Sequence, residues 1–209
     1  MIELYAISDH PCPPLPDDLP GLELVASCGL AAVCAPPSAH DSVEGLWRHE
    51  EILESIMRDR DLLPARLGTI LADRSAVAQV LCARRAELSS ALDRVRGAVE
   101  VSLRAAEVIA ASDDERPPSE TRTANGAERL AAGAPDHAAQ RVHRTLVTLS
   151  RATAVRSPYG RRDALAAAYL VDRHRLSGFV EAVAELQNQH PELALLCTGP
   201  WPPYSFAEQ

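Results

Sequence analysis

The pair in this chain most suggestive of chemistry is His49-Glu50. In an H-E-x-x-H helix, two imidazoles one turn apart hold zinc and the glutamate serves as general base. Leu53 occupies the second histidine position here, so that metal site lacks a ligand. The remaining histidines, at positions 10, 40, 137, 143, 174 and 190, are scattered without ligand spacing. No G-x-S-x-G nucleophile elbow is present, and no G-x-G-x-x-G phosphate loop follows a strand. All 21 basic residues are arginine. The absence of lysine excludes, for this chain alone, a phosphate-loop lysine and Schiff-base chemistry. Five cysteines, at 12, 28, 34, 82 and 197, form no C-x-x-C pair. The opening residues do not read as a signal peptide, and no apolar run approaches the ~18–20 residues of a membrane span. The expectation is a cytoplasmic chain with free thiols, with no metal site and no local signature for a catalytic residue.

Two other constellations point to contact rather than reaction. Glu50 falls on an otherwise apolar helical stripe, and Arg66 lies on the strand expected to follow. If the two elements pack, the charges pair as a structural salt bridge; otherwise one of them turns to a solvated rim. The run Thr198-Gly-Pro-Trp-Pro-Pro-Tyr-Ser-Phe206 gathers three of the chain's eight aromatics. Pro200, Pro202 and Pro203 favour an extended, polyproline-like path over a helix. Burying one such ring removes roughly 150–250 Å² from water, on the order of 4–6 kcal/mol as an upper value. Three readings remain open: a stiff tail packed on the protein's own domains, an aromatic platform for a partner, or a free polyproline ligand.

The elements that must position these residues are legible from periodicity. Residues 2–7 read as a strand and 9–21, with five prolines, as a loop. Apolar runs at 22–27 and 30–35, parted by Cys28-Gly29, read as a hairpin. A helix is expected over 41–58, with Asp41-x-x-Glu44 as a capping box and Val43, Leu46, Trp47, Leu53 and Met57 as its buried stripe. Residues 63–71 read as one strand. A helix capped by Asp73 should run to about Arg96 and stop at Gly97, followed by a strand over 99–108. The stretch 112–126 (SDDERPPSETRTANG) has linker character. Broken helix is expected over 127–150, a strand over 164–171, a helix through Phe179, Val183 and Leu186, and a strand over 192–198. The fold class is α+β with two small domains: residues 1–110, a linker at 111–126, and a ferredoxin-like domain over 127–209 that carries the aromatic and proline tail.

The net charge of −8, without a basic stripe, argues against nucleic acid and against an electrostatic grip on anionic membranes.

Three stretches resemble the gas vesicle GvpF/GvpL proteins. They are Leu4-Tyr5-Ala6; His49-Glu50 followed by LLPARLGT (62–69), a helix to Gly97 and Val99-Glu100; and YLVDRHRLSGFV (169–180) with TGPWPPYSF (198–206). The sequence departs from the family pattern at Leu67, where phenylalanine is usual, and at Val101, where an aromatic is usual. The resemblance implies a two-domain α+β protein without catalysis or cofactor. It further implies a gas-vesicle-associated assembly factor that contacts the major hydrophobic shell protein and other accessory proteins. Pro64, Arg66, Gly68, Thr69, Gly199, Pro200, Trp201, Pro202, Pro203 and Tyr204 match family positions; with Glu50 and Phe206 they are candidate structural or interface residues. The alternative reading is an enzyme or small-ligand-binding ferredoxin-like module with a pocket between the domains.

Overall fold

The computed structural model describes residues 1–16, 19–37, 42–108, 134–157 and 163–207. The expected linker at 111–126 and the Asp41 cap lie outside the described residues. Two compact units emerge: Met1–Glu100 together with Pro200–Gln209, and Val101–Gly199. The chain thus leaves the first unit, builds the second, and comes back.

The first unit contains a sheet in the order β2-β3-β1-β4, with β5 also pairing with β1. Strand β1 (Ile2–Asp9) lies antiparallel to β3 (Leu30–Ala35), which pairs in turn with β2 (Glu23–Ser27). Both β1 and β3 are buried almost throughout, so they carry near-continuous apolar runs rather than a strict alternation. The expected hairpin forms, and Cys28 and Gly29 at its tip both take positive φ, 54° and 81°. Two central residues with φ > 0 match the right-handed twist of the flanking strands, and glycine takes that conformation without steric cost.

The segment 63–71 is not one strand. It divides into β4 (Leu63–Pro64) and β5 (Ile70–Leu71), both antiparallel to β1. Pro64 stands opposite Ala6 and Ile70 opposite Glu3, so the motif uses six steps where β1 uses three. The excess arches out as a turn. Gly68 takes φ 77°, and the Thr69 N–H and hydroxyl both donate to the Arg66 carbonyl, at 3.1 and 2.7 Å.

The helix expected over 73–96 is two helices, α2 (Arg74–Ala83) and α3 (Arg85–Val95). Asp73 caps the first, accepting from the Ala76 N–H at 2.9 Å. Arg84 leaves helical geometry (φ −104°, ψ 16°). That break lets Val77 and Leu81 bury on β2 and β3 while Leu88 and Leu92 bury nearer β1 and β4.

The second unit follows the order β6 (Ala98–Glu107), α4 (Ala134–Val147), β7 (Ala152–Val155), β8 (Asp163–Asp172), α5 (Leu176–Gln189) and β9 (Leu193–Trp201). Its sheet order is β7-β8-β6-β9, a ferredoxin-like β-α-β-β-α-β arrangement. Strand β7 has four residues and no apolar run, so the sequence carries no signal for it. Tyr169 centres this core. Its ring lies 5.4 Å from Phe179, and its hydroxyl meets His143 Nδ1 at 2.8 Å. Both ends of β8 are held by ion pairs, Asp163 with Arg104 at 2.8 Å and Asp172 with Arg151.

The expectation of free thiols fails at one pair: Cys28 is bonded to Cys82, fixing the hairpin tip to α2. Connectivity across a separation of 54 residues cannot be read from spacing. Cys12, Cys34 and Cys197 form no disulfide. Burial, then the nearby Glu23 carboxylate, push the Cys34 thiol up to about 12.

Two outcomes follow. Reduction of wild-type protein should lower its urea midpoint, whereas the C28S/C82S variant should be insensitive to reductant. The chain-entropy value for a loop of this size is about 4 kcal/mol. Cys34 should resist thiol reagents at pH 8 until the protein is unfolded. Because its folded pKa exceeds the unfolded value of 9.0, stability should decline as pH rises from about 9 toward 12.

Candidate protein-docking surface

Helix α1 (Val43–Ile56) begins at Ser42, whose Oγ accepts the Gly45 N–H at 3.0 Å. The sequence offers this helix two stripes of similar spacing. One is Gly45, His49, Ile52, Leu53 and Ile56; the other is Val43, Leu46, Trp47, Glu50, Glu51 and Glu54. The first is buried. The expected buried stripe is therefore corrected: only Leu53 and Met57 of it are inside, while Val43, Leu46 and Trp47 are 66, 47 and 70% exposed. The second stripe contains three carboxylates and the first contains none. Burying three unpaired carboxylates would cost far more than leaving three apolar side chains wet.

The inward stripe reaches β1 through a ring contact and the turn after β4 through a hydrogen bond. His49 stacks on Tyr5 with centroids 5.1 Å apart, and its Nε2 bonds the Ala65 carbonyl at 3.2 Å. The Tyr5 hydroxyl donates to Glu3 at 3.1 Å. His49 is thus a core residue of the first unit. Among the described residues no group of three or more His, Cys, Asp or Glu is placed to hold a metal.

The returning tail builds the other wall of the surface. Strand β9 ends at Trp201; Pro202 and Pro203 are buried; and a single turn, α6 (Tyr204–Ala207), follows. The expected exclusion of helix holds only up to the prolines. Just after Pro203 a helical turn costs nothing, since proline is tolerated where a helix starts. The turn packs on α3 and β4. Glu100, 3% exposed, fixes it: the Ser205 N–H donates to one carboxylate oxygen at 2.7 Å and the Ser205 hydroxyl to the other at 2.8 Å. The Tyr204 hydroxyl donates to Glu50 at 3.3 Å. Burial, and then the Glu50 charge, raise the Tyr204 phenol well above its ordinary range.

Between the outward stripe and the tail lies an apolar groove of about 430 Å³, lined by Leu46, Trp47, Glu50, Glu51, Glu54 and Trp201. Of the residues singled out from sequence, it unites Glu50 and Trp201, with Tyr204 bonded to Glu50. Gly199 and Pro200 are exposed, and Phe206 is half-buried in α6. Pro64 belongs to β4, while Arg66, Gly68 and Thr69 form the neighbouring turn. Sequence reasoning missed Glu51, Glu54, Glu100 and Ser205, and placed Leu46 and Trp47 inside. The carboxylate count of the two α1 stripes was the signal that separates them.

A family model for the gas vesicle synthesis protein GvpL/GvpF matches residues 4–208. The chain belongs to this family. It is 30% identical to gas vesicle protein F of Streptomyces sp. (strain CB03234), covering 98% of both chains. Gas vesicle protein L of the same strain is 32% identical over 76% of this chain and 67% of its own. The crystal structure of GvpF from Anabaena sp. PCC7120 superposes with a TM-score of 0.77 at 19% identity, covering 100% of this chain and 96% of that one. GvpF from Microcystis aeruginosa gives 0.76, covering 100% and 99%. This GvpL/GvpF member thus shares the fold of those GvpF crystal structures.

In this family member, Glu100→Ala should destabilise the fold by about 3 kcal/mol in urea titrations, since it strips two charge-assisted acceptors from Ser205. Tyr204→Phe, which removes one longer and half-exposed bond, should cost about 1 kcal/mol or less.

Proposed function

We propose that this chain is an accessory protein required for gas vesicle assembly, and that it binds the major hydrophobic shell protein while the vesicle nucleates or grows. It acts in the cytoplasm, in contact with the vesicle and with other accessory proteins, and does no catalysis. The supporting observation is the outward face of α1, which leaves Val43, Leu46 and Trp47 open to solvent in a gas vesicle synthesis protein. A monomer has little reason to keep a tryptophan and two aliphatic side chains together in water unless a partner covers them. A very apolar shell subunit needs such cover until it joins the wall, and the binding must be reversible if the subunit is to be delivered.

The charge pattern agrees with this reading. A net charge of −8 keeps the chain apart from nucleic acid and anionic lipid, and no helix among the described residues is long and apolar enough to cross a membrane.

Deleting the gene from its host, or leaving it out of a reconstituted gas vesicle cluster, should abolish pressure-collapsible light scattering, and wild-type protein should restore it. Tagged protein co-expressed with the shell protein should retain that subunit. Normal vesicles without the gene, together with no retention, would refute the proposal.

A further inference from the structure

The groove on α1 carries more information than apolarity. Its floor is Leu46, Trp47 and Trp201, and its remaining lining is Glu50, Glu51 and Glu54. Glu50 is engaged by Tyr204, which leaves Glu51 and Glu54 on the outer rim, both exposed. The one arginine within α1, Arg48, does not line the groove. The outward residues recur at i, i+3, i+4, i+7, i+8 and i+11 from Val43, so the face runs straight along the helix for about 16 Å, some three turns.

We propose that this groove seats an amphipathic helix whose bulky apolar side chains enter between Trp47 and Trp201 and whose arginine or lysine side chains reach Glu51 and Glu54. The inference rests on the assembly reading and specifies its partner: the segment presented by the shell side is cationic as well as apolar. Charge complementarity selects this occupant. A second copy of the chain, joined through a two-fold axis, would set the same carboxylates against one another. An anionic lipid surface would meet the same repulsion. A purely apolar segment would fill the floor but leave the rim carboxylates partly desolvated and without a partner. A helix with basic residues flanking its apolar stripe satisfies both floor and rim, the helix-in-groove mode of recognition.

The chain supplies its own reporter. It has two tryptophans, and both line the groove, so selectively excited tryptophan emission reads this site. The probe is a helical peptide of about four turns, with leucines at i, i+3, i+4 and i+7 and arginines beside them. A twin carries glutamate at every arginine position. The arginine peptide should blue-shift the emission saturably. The twin should bind at least tenfold more weakly, and the E51Q/E54Q variant should bind the arginine peptide about tenfold more weakly than wild type, a loss that shrinks in high salt. Both carboxylates are exposed, and an unchanged urea midpoint checks that this variant folds. Equal binding of the two peptides, equal binding by E51Q/E54Q, or no emission change with the arginine peptide would each overturn the proposal.

A second arm separates this inference from the assembly reading. Tagged wild-type chain and the W47A/E51Q/E54Q variant are each co-expressed with the shell protein. Retention by wild type and loss by the variant supports the groove. Retention by both overturns the groove and leaves the assembly role standing. Retention by neither counts against the shell partner and so overturns the inference as stated for that partner.

Discussion

A buried carboxylate organises the first unit. Glu100 is almost wholly removed from water, and a desolvated charge is tolerable only where donors surround it. Ser205 supplies two, one from its backbone and one from its hydroxyl. That pairing fixes the end of the chain against α3 and β4. Much else follows from it. Pro202 and Pro203 are buried, Tyr204 comes within reach of Glu50, and Trp201 lines the groove together with Trp47. The tail's side of the α1 groove is therefore held by a polar contact.

Helix α1 shows how one amphipathic sequence can be read two ways. Its stripes have the same periodicity, and each holds three large apolar side chains, so a count of apolar positions does not separate them. Desolvation decides instead. The stripe with three glutamates cannot go inside, so Gly45, His49, Ile52, Leu53 and Ile56 do, and a tryptophan is left in water. This arrangement sacrifices some apolar burial, and the retained surface is available for association.

The strands with long apolar runs were plain from sequence: β1, the β2–β3 hairpin, β6 and β8 all form near their expected places, as does α5. What stayed hidden depends on partners distant in the chain. The LLPARLGT motif reads as a strand because its residues suit one, yet the spacing of Ala6 and Glu3 on β1 forces a turn into it. The Cys28–Cys82 link, the Glu100–Ser205 pairing at a separation of 105 residues, and the Tyr204–Glu50 bond at 154 residues have no local signature. The groove combines such pieces. Its apolar helix face was visible as residues, while its orientation and its Trp201 wall were tertiary facts. The family resemblance supplied the biological setting that no individual residue carried.

The order in which the units occur along the chain has a consequence for synthesis. The first unit needs residues 200–209, but 101–199 intervene. On the ribosome, the N-terminal hundred residues emerge with Glu100 lacking Ser205 and with α1 lacking the Trp201 wall. The second unit, being continuous, can fold as soon as its own residues are out. Completion of the α1 groove is thereby deferred until translation has passed Ser205, so a nascent or truncated chain cannot present that groove in finished form.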